Sequence, residues 1–157
     1  MTHAARRLLP IAFALLALAA MAPGTAAAGL STAAFPNQSL GNRGADVRAI
    51  QGLLRAHGST IAVDGIFGAT TRDAVKAFQT SKGLAATGIV RDTTWAKLIV
   101  GLHPGATGEA VKVVQRELNE KRRAGLTVDG VFGTATRNAV IAFQKHVRMT
   151  PHGTSAR

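Results

Sequence analysis

Residues 63–79 read VDGIFGATTRDAVKAFQ, and residues 128–144 read VDGVFGTATRNAVIAFQ. The two stretches align without a gap at an offset of 65, and 12 of the 17 positions are identical. A self-match of this length marks an internal repeat, and a repeat sets the architecture before any single element is assigned. Upstream, Gly44, Val47, Gln51 and Leu54 match Gly108, Val111, Gln115 and Leu118 at an offset of 64. The second copy therefore carries one extra residue between Leu118 and Asp129. The unit is about sixty residues long, starting near Leu40 and again near Leu102.

Apolar spacing assigns helices within the unit. Val47, Ile50 and Leu54 fall at i, i+3 and i+7, one helical stripe. Asp46 sits at the cap or in the first turn, where an acid meets unpaired amides, and Gly58 ends the helix. Ala74, Val75 and Phe78 form a second stripe, terminated by Gly83 in the left-handed conformation. Asp92 caps a short third helix that carries Trp95, Leu98 and Ile99 and ends at Gly101. Between the first two helices, VDGIFG reads as a compact turn whose glycines admit positive φ while Phe67 turns inward. The expected fold is all-α, with tandem three-helix repeats of the small orthogonal-bundle kind. Its core in repeat one is expected to be Val47, Ile50, Leu54, Val63, Phe67, Val75, Phe78, Leu84, Trp95 and Leu98. A unit this small is marginal alone, so docking of the two copies is expected to help.

The first residues follow a different pattern. Arg6 and Arg7 precede an uncharged apolar run from Leu8 to Ala22, then Pro23-Gly24 and a series of small residues. This is the anatomy of a secretory signal peptide. Ala26-Ala27-Ala28 suits cleavage after Ala28, so residues 1–28 are expected to be removed. The competing reading, a membrane anchor, needs ~20 apolar residues. Residues 29–39 (GLSTAAFPNQS) have no periodicity and read as a polar linker. The expected organisation is signal 1–28, linker 29–39, repeat one 40–101 and repeat two 102–157.

The whole chain of 157 residues holds 19 Lys+Arg against 8 Asp+Glu, six Phe, one Trp and no Cys. The missing Cys excludes a thiol nucleophile, a disulfide framework and a lipidated Cys anchor. Residues 1–28 carry two Arg and no acid, so the processed chain keeps 17 Lys+Arg and 8 Asp+Glu, a net +9. A basic exported chain points to an acidic surface outside the cell.

The repeat resembles the peptidoglycan-binding-like domain found beside bacterial wall hydrolases. The residues that carry the resemblance are Gly44, Val47, Gln51 and Leu54, then Asp64-Gly65-x-Phe67-Gly68, Thr71, Ala74-Val75, Phe78-Gln79, Gly88, and Trp95 to Leu98. It covers 40–100 fully and 102–155 in part. It implies a three-helix fold, attachment to peptidoglycan and no catalysis by the domain itself. Repeat two departs from the pattern: Gly153 matches Gly88, and Arg157 falls where Asp92 would map. Repeat two is thus expected to be incomplete, without counterparts of Trp95 and Leu98, through truncation or because something else covers that face.

The Asp-Gly-x-Phe-Gly loop is the strongest motif. Its amides and the helix start after it suit polar sugar or peptide groups, and Arg72 and Arg137 suit carboxylates or phosphates. The peptidoglycan-contacting candidates are Asp64, Gly65, Phe67, Gly68, Thr71, Arg72 and Gln79 in repeat one. In repeat two they are Asp129, Gly130, Phe132, Gly133, Thr136, Arg137 and Gln144. A structural reading stands beside the functional one: the Asp bonds loop amides, the Gly and Phe shape a turn, and the Gln bonds the loop from inside. That reading is preferred for Asp, Phe, Gly and Gln, and neither is preferred for the two Arg.

Chemistry of other kinds finds no support in the pattern. No two His stand at i, i+4 with an acid, so no zinc site is expected. Asp64 and Asp129 belong to separate repeats and are not an opposed carboxylate pair. No Ser lies in a nucleophile elbow. KRR at 121–123, beside Glu117 and Glu120, reads as a solvated helix end. Interleaved aromatics for base stacking are missing, which argues against nucleic acid. The expected function is a secreted, cell-wall-binding, non-enzymatic protein without cofactor or metal. Its expected partners are peptidoglycan and anionic wall polymers, with no stable membrane insertion after signal cleavage. The alternative is the targeting region of a peptidoglycan hydrolase whose catalytic domain lies beyond Arg157.

Overall fold

The computed structural model describes residues 35–146. The expected signal segment, residues 29–34 of the expected linker, and the chain from 147 onward lie outside the described residues. Within them the protein is all-α. Helices α1 (Ala45–Ala56), α2 (Ala69–Ser81) and α3 (Asp92–Leu98) form repeat one, and α4 (Glu109–Arg122) and α5 (Thr134–His146) belong to repeat two. Extended pairing among the described residues is limited to isolated antiparallel bridges, Gln38 with Val90, Arg43 with Ile66, and Thr107 with Val131.

Glycine conformations explain where the first helices begin. Gly44 and Gly108 precede α1 and α4 at φ 111° and 109°, a backbone state that a Cβ would strain. Asp46 lies in the first turn of α1, not at its cap. Helix α2 ends as expected at Gly83, whose N–H bonds Thr80 O at 3.1 Å while Leu84 N–H bonds Gln79 O at 2.8 Å. This is the paired closure of a Schellman motif. Helix α3 stops at Leu98, three residues before Gly101, and Asp92 is its first residue without a side-chain cap bond. The extra residue of the second copy is absorbed where α4 runs longer than α1 and turns off at Arg123, φ 52°.

Eight of the expected core residues are buried: Val47, Ile50, Leu54, Phe67, Val75, Phe78, Trp95 and Leu98. Val63 and Leu84 are half-buried. Ala49 and Leu53 are buried as well, though they lie off the stripe. The reason is that α1 is covered on two sides, by its own repeat and by α4. The two helices run antiparallel. Arg48 near the start of α1 pairs with Glu120 near the end of α4 at 2.9 Å, and Arg55 pairs with Glu109 at 3.3 Å. Between these pairs Gly52 faces Val113 so closely that a Cβ on Gly52 would overlap Val113 Cγ2. Lys121, expected in a solvated basic run, folds back onto the buried Glu117 at 2.6 Å.

The last residues of the expected linker pack onto repeat one. Phe35 stacks on Trp95 with centroids 5.4 Å apart. Trp95 Nε1–H donates to Pro36 O at 3.2 Å, and Phe35 N–H donates to Asp92 Oδ1 at 3.0 Å. Gln38 and Val90 exchange backbone bonds of 3.0 and 2.8 Å. This segment is held by one aromatic contact, two bonds between its backbone and side chains of α3, and backbone pairing with Val90, none of which leaves a periodic trace in sequence.

Candidate functional site

Each Asp-Gly-x-Phe-Gly loop is built around a buried glutamine on the preceding helix. Gln51 Nε2 donates to Asp64 Oδ1 at 2.8 Å, to Ile66 O at 3.1 Å and to Thr71 Oγ1 at 3.0 Å. Gln51 Oε1 accepts from Gly65 N–H at 2.8 Å. In repeat two, Gln115 makes the same bonds to Asp129, Val131 O and Thr136 at 2.7, 3.2 and 3.1 Å, and accepts from Gly130 at 2.9 Å. Burial explains why every polar atom of the amide is used, since an unpaired one inside the fold is costly. Asp64 Oδ1 also accepts from Ile66 N–H at 2.8 Å, an Asx turn. That amide and then Gln51 hold the Asp64 carboxyl below its ordinary range. In Asp129 the same lowering comes first from Gln115 and then from the Val131 amide.

A third loop within repeat one has the same construction. Gln79 Oε1 accepts from Gly88 N–H at 2.9 Å, while its Nε2 donates to Ile89 O at 2.9 Å and Thr94 Oγ1 at 3.1 Å. Gln79, Gly88 and Thr94 thus stand to α2 and α3 as Gln51, Gly65 and Thr71 stand to α1 and α2. Gly65 and Gly88 have φ of 76° and 71°.

The sequence candidates fall into two groups. Phe67 and Phe132 are buried beneath the loops, and Thr71, Thr136, Gln79 and Gln144 are buried with them. Gly65 and Gly130 are enclosed, and a Cβ on Gly130 would sit 3.1 Å from Gly108 O. Outward lie Asp64 and Asp129, Gly68 and Gly133 with open space where a Cβ would project, and Arg72 and Arg137. Arg72 pairs with Asp73 at 2.8 Å. In repeat two Asn138 takes the place of Asp73, and Arg137 has no ion pair among the described residues.

The geometry brings forward four residues outside the contact candidates, two of them, Gln51 and Gln115, already marked as recurring in both copies. Gln51 and Gln115 organise the loops. Ile66 and Val131, between the buried Gly and Phe, point outward with 39% and 46% of their surface exposed, and Leu40 nearby is 56% exposed. The alternation expected of extended chain was the available signal: if Phe67 turns in, its neighbour turns out. Ile66 and Val131 each form a bridge, to Arg43 and Thr107. Each loop therefore offers an apolar apex beside cationic or polar side chains.

Other site types have no framework among the described residues. No group of three or more His, Asp or Glu could hold a metal ion. No helix there is long and apolar enough to cross a membrane. A crevice lined by Arg48, Ala49, Val113, Arg116, Glu117 and Glu120 lies between the repeats and is too tight to admit a ligand. Asp64, Asp73, Glu109, Glu117, Glu120 and Asp129 are engaged in ion pairs or loop bonds, whereas Arg91, Lys97, Arg122, Arg123 and Arg137 are exposed without ion pairs among the described residues.

A family model described as peptidoglycan binding domain matches this sequence twice, over residues 43–98 and 107–154. Among solved structures the chain is similar to a fused Zn-dependent amidase/peptidase/peptidoglycan-binding domain-containing protein from Clostridium acetobutylicum ATCC 824. The identity is 40% over 40% of this chain and 28% of that one, with a TM-score of 0.40. It is similar to a peptidoglycan-binding protein from Clostridioides difficile, solved with glutamine hydroxamate, at 40% identity over 40% of each chain and a TM-score of 0.40. It is also similar to the Burkholderia AP3 phage endolysin, at 38% identity over 59% of this chain and 34% of that chain, with a TM-score of 0.41. The chain spans less than half the length of each of these proteins. The comparison with curated proteins gives no match.

Proposed function

This chain belongs to the peptidoglycan binding domain family, in both of its repeats, and from that premise we propose that it is an exported protein that attaches non-covalently to the bacterial cell wall. The observation that carries the reading is the double family match, which falls on the two units that share the glutamine-held loop. In this reading the loop apices Ile66 and Val131 meet apolar faces of the polymer, and Arg72 and Arg137 meet its carboxylates. The inward residues Phe67, Thr71, Gln79, Phe132, Thr136 and Gln144 hold those groups in place. The exposed cations add an attraction to anionic wall polymers that salt screens over about 8–10 Å.

Co-sedimentation of the processed chain with purified sacculi stripped of teichoic acid tests the proposal. Retention at high salt is expected, and Arg72→Ala with Arg137→Ala should weaken it. Binding that vanishes with salt, or with the teichoic acid, rejects attachment to peptidoglycan itself. Export is tested separately: N-terminal sequencing of protein from the culture medium should begin at or within a few residues of Gly29, and an intact N-terminus in the membrane fraction rejects it.

A further inference from the structure

The antiparallel docking of α1 on α4 fixes how the two loops are presented. Arg48 with Glu120 and Arg55 with Glu109 bracket the contact of Gly52 with Val113. Because Gly44 and Gly108 are equivalent positions, the two repeats are related by an approximate two-fold axis passing near Gln51 and Gln115. For an antiparallel helix pair, that axis runs perpendicular to the plane containing both helix axes. It therefore keeps on one side of this plane whatever lies there.

The loop of repeat one packs along Gly44, Arg48 and Gln51: Gly44 N–H bonds Gly65 O at 2.9 Å, and Gln51 bonds Gly65 N–H. Helix α4 packs along Ala49, Gly52 and Arg55. At 3.6 residues per turn these two sets are about a quarter-turn apart, so the loop stands to one side of the helix plane. In repeat two the corresponding bonds run from Gly108 N–H to Gly130 O at 2.9 Å and from Gly130 N–H to Gln115. The two-fold relation places that loop on the same side, at the opposite end. Each loop reaches from Gln51 or Gln115, level with the axis, back to Gly44 or Gly108, seven positions before it, so at 1.5 Å per residue the far ends of the two loops stand ~20 Å apart along the helices.

We propose that this one face, with Ile66 and Val131 at its two ends, is a single composite surface that engages polymeric peptidoglycan at two points at once. The inference rests on the wall-binding reading and adds the form of the partner: an extended array of repeating units on one surface, not a soluble muropeptide and not two opposed surfaces. Two loops of the same construction, held at a fixed distance by a packed interface, match a ligand that itself repeats. The second contact then forms intramolecularly and raises retention without any new chemistry.

The test compares wild type, Ile66→Asp and Val131→Asp on stripped sacculi and on soluble disaccharide-peptide fragments released from them. Ile66→Ala and Val131→Ala, truncations of half-exposed side chains, separate a lost contact from a folding defect. Each single variant is expected to lose roughly tenfold or more in apparent affinity for sacculi. On soluble fragments each should keep one of two sites at unchanged affinity. Sonicated sacculus fragments should not be cross-linked by wild type in light scattering, because both contacts lie on one face. Single variants that bind sacculi within twofold of wild type overturn the proposal. So does aggregation of fragments by wild type but not by the single variants, which would mean that the loops face apart. If wild type binds neither sacculi nor fragments, the wall-binding reading itself fails, an outcome distinct from the other two.

Discussion

The amide of Gln51 holds Asp64 from beneath: Gln51 Nε2 donates to Asp64 Oδ1 at 2.8 Å, and the same carboxylate oxygen takes the Ile66 N–H. One buried side chain thereby sets the shape of a solvent-facing loop. Replacing it with Leu keeps the volume and removes the bonds to Gly65 N–H, Ile66 O and Thr71. A buried donor or acceptor left unpaired costs about 1–3 kcal/mol. Gln51→Leu is thus expected to lower stability by about 2–4 kcal/mol in urea unfolding followed by Trp95 fluorescence. A loss under about 1 kcal/mol would show that water replaces the glutamine at little cost.

The pH dependence of stability is expected to have two limbs of opposite origin. Burial pushes Glu117 and Asp46 above their ordinary values, with Lys121 opposing. Glu117 lies between the repeats, near Lys121, Asp46 and Glu120, with Arg48 and Arg116 lining the same crevice. A raised carboxyl contributes stability that is complete below its unfolded pKa and is lost as pH rises through the folded one. Asp64 and Asp129, held low by their loops, contribute stability that is present above their unfolded value and is lost as pH falls through the folded one. Stability should therefore decline as pH rises above 4.5, the ordinary value for Glu117, and also as pH falls below 3.8, the ordinary value for the two loop Asp. Calorimetric Tm across this range should show a maximum between the limbs. Glu117→Gln should flatten the upper limb and leave the acid limb intact; an unchanged upper limb in the variant contradicts this assignment.

Phe35 closes the face of Trp95 that α1, α2 and α3 leave to the incoming chain. Burial of a large apolar side chain contributes about 1.5–3 kcal/mol. Phe35 is only half-buried, so Phe35→Ala is expected to cost about 1–2 kcal/mol. The emission of Trp95, the single tryptophan of the chain, should move to longer wavelength as its ring gains water. An unshifted spectrum would mean that the stack contributes nothing to its shielding.

The interface between the repeats depends on Gly52. Gly52→Leu drives a side chain into Val113 and should separate α1 from α4, with loss of the flanking pairs to Glu109 and Glu120. Hydrogen exchange on the variant is expected to rise more in α4 and α5 than in α2 and α3, since repeat one keeps Trp95 and Leu98 over its own core. Equal change in the two repeats, or none, would show that repeat two does not draw its stability from docking.

Much of this protein was legible from its residues alone. The duplicated DG-x-FG stretch announced two copies, helical spacing announced α1 and α2, and Gly83 announced the end of α2. These are local features: a periodic stripe records one buried face, and a glycine records a backbone state, so each leaves its mark within a few positions. The candidate site was legible as a motif but not as a geometry. From sequence, Phe67 is expected to turn inward and Gln79 to bond the loop from inside, and both are buried in the structure. Only tertiary structure identified Gln51 as the side chain that holds Asp64 and left Ile66 at the surface. Docking of the two copies is expected from their small size, but the seam it uses, α1 on α4, was invisible for the same physical reason: it rests on the absence of a side chain at Gly52, opposite a residue 61 positions away. Phe35 on Trp95 is likewise a pairing across 60 positions. The sequence determined which elements form and that they form twice. Only the packed structure decided which face of each loop meets solvent and that both loops share a side, because those outcomes depend on contacts between residues that the chain holds far apart.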